Sequence, residues 1–207
     1  MINSFLVEIN NRDLENHDNL SLIEMKEESN ILSLTFKLQS DLDEEDKFQI
    51  WKIECKDFIQ RRICDDLFSS FDIFEEHVLL WEYNQPKAGL YFKGTTENIS
   101  GLIGELYLKH LSITQDWIPL TEYINDMVDI QELIKAGYGL LANAPMEIIE
   151  EFSEVLNKFN IKPSIVSNGI MRYWDGGSWV NGHTQYCVLI FGRCFVIAKE
   201  FKEERIQ

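Results

Sequence analysis

Through the first half of the chain, apolar residues alternate with polar ones or gather in short runs separated by turn-forming residues. A period of two is the mark of a strand with one buried face. The pattern predicts strands at 5–9, 20–25, 31–38, 48–55, 58–64, 71–74, 78–83 and 90–93, with the clearest loops at 40–47 and 84–87. A twisted antiparallel sheet, folded into a sandwich or half-barrel, is the natural container for so many short strands.

The period then changes. Ile99, Leu102, Ile103, Leu106, Tyr107, His110 and Leu111 fall at the three- and four-residue spacing of one helix face, and Asn98 precedes them as a suitable N-cap. The spacing predicts a helix over 98–111 that presses Leu102, Leu106 and Tyr107 against the sheet. A shorter helix is expected at 130–136, before Gly137, and extended chain at 138–142. Pro145 stands where a first-turn proline belongs. Ile148, Ile149, Phe152, Val155, Leu156 and Phe159 then mark a second amphipathic helix, 145–159, with Glu147, Glu150, Glu151 and Glu154 in its early turns.

Strand signals return at 165–166, 170–174, 179–180, 184–191 and 194–201, with turns at Asp175-Gly176-Gly177, Asn181-Gly182 and Gly192-Arg193. In the last hairpin Phe191 should face Cys194, and Cys187 should face Ala198. Both faces of this hairpin are apolar, so it should be covered on both sides, with helix 145–159 as one cover. Strand 138–142, that helix and strand 164–166 would form a split α+β unit with the hairpin. The expected class is α+β: a β-rich region over 1–125 with one packed helix, and a small α+β unit over 126–207. One continuous domain is the alternative.

Charge narrows the choice of partner. The chain has 19 Lys and Arg against 35 Asp and Glu, a formal charge of −16. Residues 1–103 hold 10 against 21, and the remainder 9 against 14, so an acidic face belongs to the first half. Phosphate backbones and anionic lipid are repelled, and the basic residues cluster no further than Arg61-Arg62, so nucleic acid is not an expected partner. At 45% hydrophobic residues the chain can build a real core. Its longest apolar run, Tyr186 to Phe191, is far short of a membrane span, and no basic segment follows Met1 to suggest export.

No C-x-x-C occurs among Cys55, Cys64, Cys187 and Cys194, so zinc and thioredoxin-like chemistry are not indicated. Cys55 continues the alternation of Trp51 and Ile53 as a small core residue. Cys187 and Cys194 lie apart along their hairpin ladder, beyond disulfide reach. Reduced, mostly buried thiols fit a cytoplasmic location.

Histidines are the next place to look for catalysis, and His17, His77, His110 and His183 are scattered without metal-ligand spacing. His110 reads as a core residue of its helix and His77 as a turn residue. His183 is different, because Arg172, Trp174, Asp175 and Trp179 share its glycine-rich hairpin. Flat aromatic faces with hydrogen-bonding neighbours suit a small-molecule ligand, and the competing reading is aromatic packing on a sheet. The run Asp41, Asp43, Glu44, Glu45 and Asp46 is the densest acidic loop. It departs from a calcium loop, with Asp46 in place of the sixth-position glycine and Lys52 in place of the twelfth-position glutamate. It reads as solvated charge or as a dock for a basic partner. No G-x-S-x-G, P-loop or G-x-G-x-x-G is present.

His77, Leu79-Leu80-Trp81, Tyr83, Pro86, Leu90-Tyr91-Phe92, Gly94, Trp117-Ile118-Pro119, Tyr123 and Asn125 form a pattern that resembles one in uncharacterised bacterial proteins of about this size. The resemblance implies no activity, cofactor or ligand. The reading that the residues favour is a cytoplasmic, non-enzymatic protein-interaction module without cofactor or metal, of the kind that neutralises a basic nuclease-type toxin. A small-molecule-binding or enzymatic domain using hairpin 172–183 is the alternative.

Overall fold

The computed structural model describes residues 4–14, 18–40, 48–64, 67–167, 169, 172–174, 176–182 and 185–207. Its class is α+β, with antiparallel sheets and a strand-rich N-terminal half. The chain divides into two compact units: residues 1–80 with Gln185–Gln207, and Trp81–Thr184.

In the first unit, helix α1 (Ser4–Asn10) precedes strands β1 (Asp18–Glu28), β2 (Ile31–Ser40), β3 (Phe48–Lys56), β4 (Gln60–Arg62), β5 (Leu67–Phe68) and β6 (Phe71–Phe74). A 3-10 turn at Val78–Leu80 follows. In the second, α2 (Trp81–Asn84), β7 (Lys87–Lys93), α3 (Ile99–Thr114), α4 (Ile130–Ala136), β8 (Tyr138–Pro145), α5 (Met146–Lys158), β9 (Lys162–Ser167), β10 (Arg172–Trp174) and β11 (Trp179–Asn181) follow in order. The chain then returns to the first unit with β12 (Cys187–Phe191), β13 (Cys194–Ala198) and β14 (Glu200–Arg205).

Two sheets make the first unit a sandwich. One has the order β14-β3-β2-β1-β5 and the other β4-β13-β12-β6. Alternate residues Leu32, Leu34, Phe36 and Leu38 of β2 point inward and are buried against Leu189, Phe191, Cys194 and Val196 of the second sheet. Phe36 is the hub: its ring lies 5.4 Å from Phe71, 5.5 Å from Phe191, 6.0 Å from Phe5 and 6.2 Å from Phe68. Such tilted and edge-on ring contacts add to what burial alone contributes.

Four expectations for this unit are corrected. Residues 5–9 form a helix, because Phe5 and Ile9 at i,i+4 fall on one face and are buried together. Its first amides are held by Glu203 on β14, which accepts from Ser4 N at 2.9 Å and Phe5 N at 2.8 Å. Strand 58–64 shrinks to Gln60–Arg62. Residues 78–83 are helical rather than extended, since Val78, Leu79 and Leu80 are all buried in succession, with no polar alternate left for solvent. The strand expected over 194–201 breaks at Lys199: β13 pairs with β12 while β14 pairs with β3, so the chain passes from one sheet to the other at this corner.

In the second unit α5 lies on a three-stranded sheet of order β8-β7-β9. β8, α5 and β9 do form a split unit, but the strand between them is β7, antiparallel to both, rather than the last hairpin. Within its own unit α5 packs on β7, β8 and β9. Ile148, Ile149, Phe152, Val155 and Leu156 of α5 meet Ala88, Leu90 and Phe92 of β7 in a separate, largely aliphatic core. α3 is capped by Asn98, whose Oδ1 accepts from Gly101 N at 3.0 Å. Leu102, Leu106, His110 and Thr114 form its buried stripe. Tyr107, expected inside, is 50% exposed. The expected division at 125/126 also differs from the observed units, for Ile124 bridges Ala142 and Asn125 N donates to Leu141 O at 2.9 Å.

Candidate functional site

The last hairpin has the register expected of it. Phe191 faces Cys194 and Cys187 faces Ala198 across a turn in which Gly192 takes φ +57°, the left-handed region. This hairpin positions Ile190 beside the β5–β6 connection. There an open groove of about 510 Å³ runs between the end of α1 and residues 69–74. Ile9, Phe71, Phe74 and Ile190 give it an apolar floor, and Arg12, Asp13, Ser69, Ser70 and Asp72 a polar rim.

The rim's charges are ordered by local geometry. Arg12 lies one helical turn beyond Glu8 and donates to Glu8 Oε1 from Nη2 at 2.7 Å and Nε at 3.1 Å. Its Nη1 reaches Asp18 Oδ1 at 3.4 Å. Glu8 also accepts from Gln49 Nε2 at 2.9 Å, and the Arg12 contact first, with Gln49 after it, holds its carboxyl below the usual carboxylate range. The guanidinium is correspondingly held above its ordinary value by Glu8. Asp18, almost fully buried, accepts from Asp13 N at 2.8 Å through its other oxygen and so closes the approach to β1. Arg12 is thus neutralised by two carboxylates, while Asp13 and Asp72 are exposed on the rim.

The hairpin proposed from sequence forms as β10–β11, pairing Arg172 with Asn181, Tyr173 with Val180 and Trp174 with Trp179. Arg172 is exposed and Trp179 is 67% exposed. Asp175 and His183 lie outside the described residues. The acidic residues Asp41, Asp43, Glu44, Glu45 and Asp46 also lie outside them, in the connection between β2 and β3.

His17 lies outside the described residues, and His77 and His110 sit in structural settings. His77 caps the 3-10 turn, its Nδ1 accepting from Leu79 N at 3.2 Å, and burial lowers its pKa. His110 is 2% exposed, edge-on to Tyr123 with ring centroids 5.8 Å apart, and burial lowers its pKa while Asp116 opposes the shift. Burial likewise pushes the Tyr123 phenol up. Among the described residues no group of three or more His, Cys, Asp or Glu is placed to hold a metal ion, and no helix is long and apolar enough to cross a membrane.

Sequence reasoning missed the groove because its residues come from 9–14, 69–74 and 190, each ordinary in its own segment. The signal available was the short spacing of Glu8, Arg12 and Asp18, which marks a charge cluster but not its setting. No protein-family model matches the chain, and no curated protein or solved structure matches it.

Proposed function

We propose that this protein is an acidic protein-interaction module that receives a Lys or Arg side chain of a basic partner in the groove between α1 and β6. The observation that carries the reading is the pairing of an apolar floor with a rim on which Arg12 is paired with Glu8 and Asp18 and the carboxylate of Asp72 is exposed. Lys and Arg are themselves amphipathic, with an apolar stem that fits the floor and a charged head that fits the carboxylates. The first unit also carries most of the charge, with 12 Lys and Arg against 22 Asp and Glu, a formal −10. That field speeds encounter with a basic protein and disfavours nucleic acid. The acidic residues 41–46 belong to the same unit and add to it. Neutralisation of a basic nuclease-type toxin is the narrower form of this reading, and the cytoplasm, where thiols persist, is the setting that fits it.

The partner would be captured at low salt from an extract of the source cells, identified, and its association rate measured with pure proteins. The expected partner is basic, its association slows steeply from low to physiological salt, and the Asp13→Asn/Asp72→Asn double variant slows it further. A rate indifferent to salt, or unchanged by the double variant, would overturn the reading. A second reading rests on Trp179, an indole 67% exposed on a glycine-rich hairpin, the kind of flat aromatic surface against which small molecules stack.

A further inference from the structure

Two of the four cysteines meet where the first unit's two chain segments join. β4 pairs antiparallel with β13 so that Arg62 faces Phe195, and two residues past Arg62 the chain brings Cys64 alongside Cys194. Their sulfurs are 3.4 Å apart, and Cys64 N donates to Cys194 Sγ at 3.1 Å, which fixes the inner sulfur in place. Cys64 is exposed and Cys194 is buried in the sandwich core. This is the arrangement of an accessible attacking thiol with a protected second thiol behind it. The other two differ: burial pushes the Cys55 thiol up, and Cys187 faces Ala198 across its ladder.

We propose that Cys64 and Cys194 are a redox modification site that closes to a disulfide by exchange with a low-molecular-weight disulfide such as oxidised glutathione. The Cys64 thiolate, having given its proton to solvent, attacks one glutathione sulfur. The glutathione S–S bond breaks, one glutathione thiolate leaves, and Cys64 holds the other half as a mixed disulfide. Cys194, deprotonated in turn, attacks the Cys64 sulfur, and the second glutathione leaves as a thiolate. Two protein thiols are oxidised, and one glutathione disulfide is reduced to two thiols. Exchange in both directions follows this route, as expected of a regulatory bond.

The consequence follows from topology. The two cysteines are 130 positions apart, and the segment between them contains the whole second unit. The bond therefore clasps the N-terminal strands to the C-terminal strands of a unit otherwise built from two separate pieces of chain. Closing so long a loop restricts the unfolded chain strongly.

The test uses the full chain, prepared reduced, then exposed to oxidised glutathione. The expected product has lost two thiols, retains no glutathione, yields a peptide linking Cys64 to Cys194, and unfolds at a temperature higher by on the order of 10 °C. Dithiothreitol should restore the two thiols, cleave the linked peptide and remove the rise in unfolding temperature. Cys64→Ser should abolish the crosslink and the stabilisation together, whereas Cys194→Ala should leave glutathione trapped on Cys64. Cys194 is a core residue, so the peptide map of the wild-type chain and the Cys64→Ser variant carry the test however Cys194→Ala folds. Four titratable thiols after exposure, glutathione retained on wild-type Cys64, a crosslink through Cys55 or Cys187, or an unchanged unfolding temperature would each overturn the proposal.

Discussion

The two units solve the same problem with different materials. The sandwich is assembled from the two ends of the chain around aromatic rings, while Trp81–Thr184 folds from one continuous segment around aliphatic side chains. The first depends on pairings between residues far apart in sequence, such as β3 with β14, and the second on a helix laid over strands that flank it. Contacts distant in sequence demand closure of long loops before they contribute, so the sandwich should be the slower of the two to form. The groove and the dithiol pair both belong to this non-local unit, at places where separate segments converge.

The sharpest way to break the comparison is to remove the hub of each core. Phe36→Ala deletes a fully buried ring that touches four others, and should cost about 3–5 kcal/mol. Leu106→Ala removes a fully buried α3 side chain from the aliphatic core and should cost about 2–5 kcal/mol. If the units are separately packed, hydrogen exchange in Phe36→Ala should accelerate first in β1–β3 and β12–β13, and in Leu106→Ala first in α3, α5 and β7. Uniform acceleration across the chain in both variants would show that the two cores are one cooperative body.

A smaller effect separates the units by pH. His110 in the second core has its pKa lowered by burial, so it is neutral in the folded state over a range in which the unfolded chain, near the ordinary value of about 6.5, is already protonated. Above that value the imidazole is neutral in both states and the full stability is present. As pH falls through the unfolded value towards the lower folded one, the unfolded chain gains a proton that the folded chain resists, and stability declines. Denaturant melts between about pH 7.5 and 5.5 should show this decline, and His110→Gln should make it shallower. His77 carries a shift of the same sign in the first unit, so His110→Gln should leave a residual slope that His77→Gln removes. A slope unaffected by either variant would exclude the buried imidazoles as its source.

The contrast between units also explains what could be read from the chain. Elements with a long, clean period were legible: α3 and α5 from their apolar stripes, β2 and β3 from alternation, and the β12–β13 register from a two-residue turn between strands apolar on both faces. Over five residues the period is ambiguous, since 5, 7 and 9 satisfy a strand while 5 and 9 satisfy one helical turn. An unbroken apolar run such as Val78–Leu80 carries no period at all. β4, Gln60–Arg62, is exposed throughout and sends no hydrophobic signal, and the meeting of Cys64 with Cys194 depends on its pairing. The division at 80 and 185 was hidden because it is written in which strands pair, not in any linker. The groove was hidden for the same reason.

The smallest effect expected concerns the β10–β11 hairpin, which belongs to the continuous unit yet adds none of its described side chains to that unit's core. Trp179 is 67% exposed, whereas Trp51, the indole of the sandwich core, is 6% exposed. Truncating an exposed side chain removes little area from burial, so Trp179→Ala should change stability by no more than about 0.5 kcal/mol. The same indole should be open to acrylamide, and the variant should lose a readily quenched part of the tryptophan emission. A core indole would behave in the opposite way, resisting the quencher and costing several kcal/mol on truncation. Should Trp179→Ala melt well below the parent, or leave the quenched fraction intact, the hairpin is packed structure and its face is closed to any ligand. If stability holds and the quenched component vanishes, stacking on Trp179 can be measured without interference from unfolding, and loss of a small molecule's binding in this variant then reports contact with the hairpin itself.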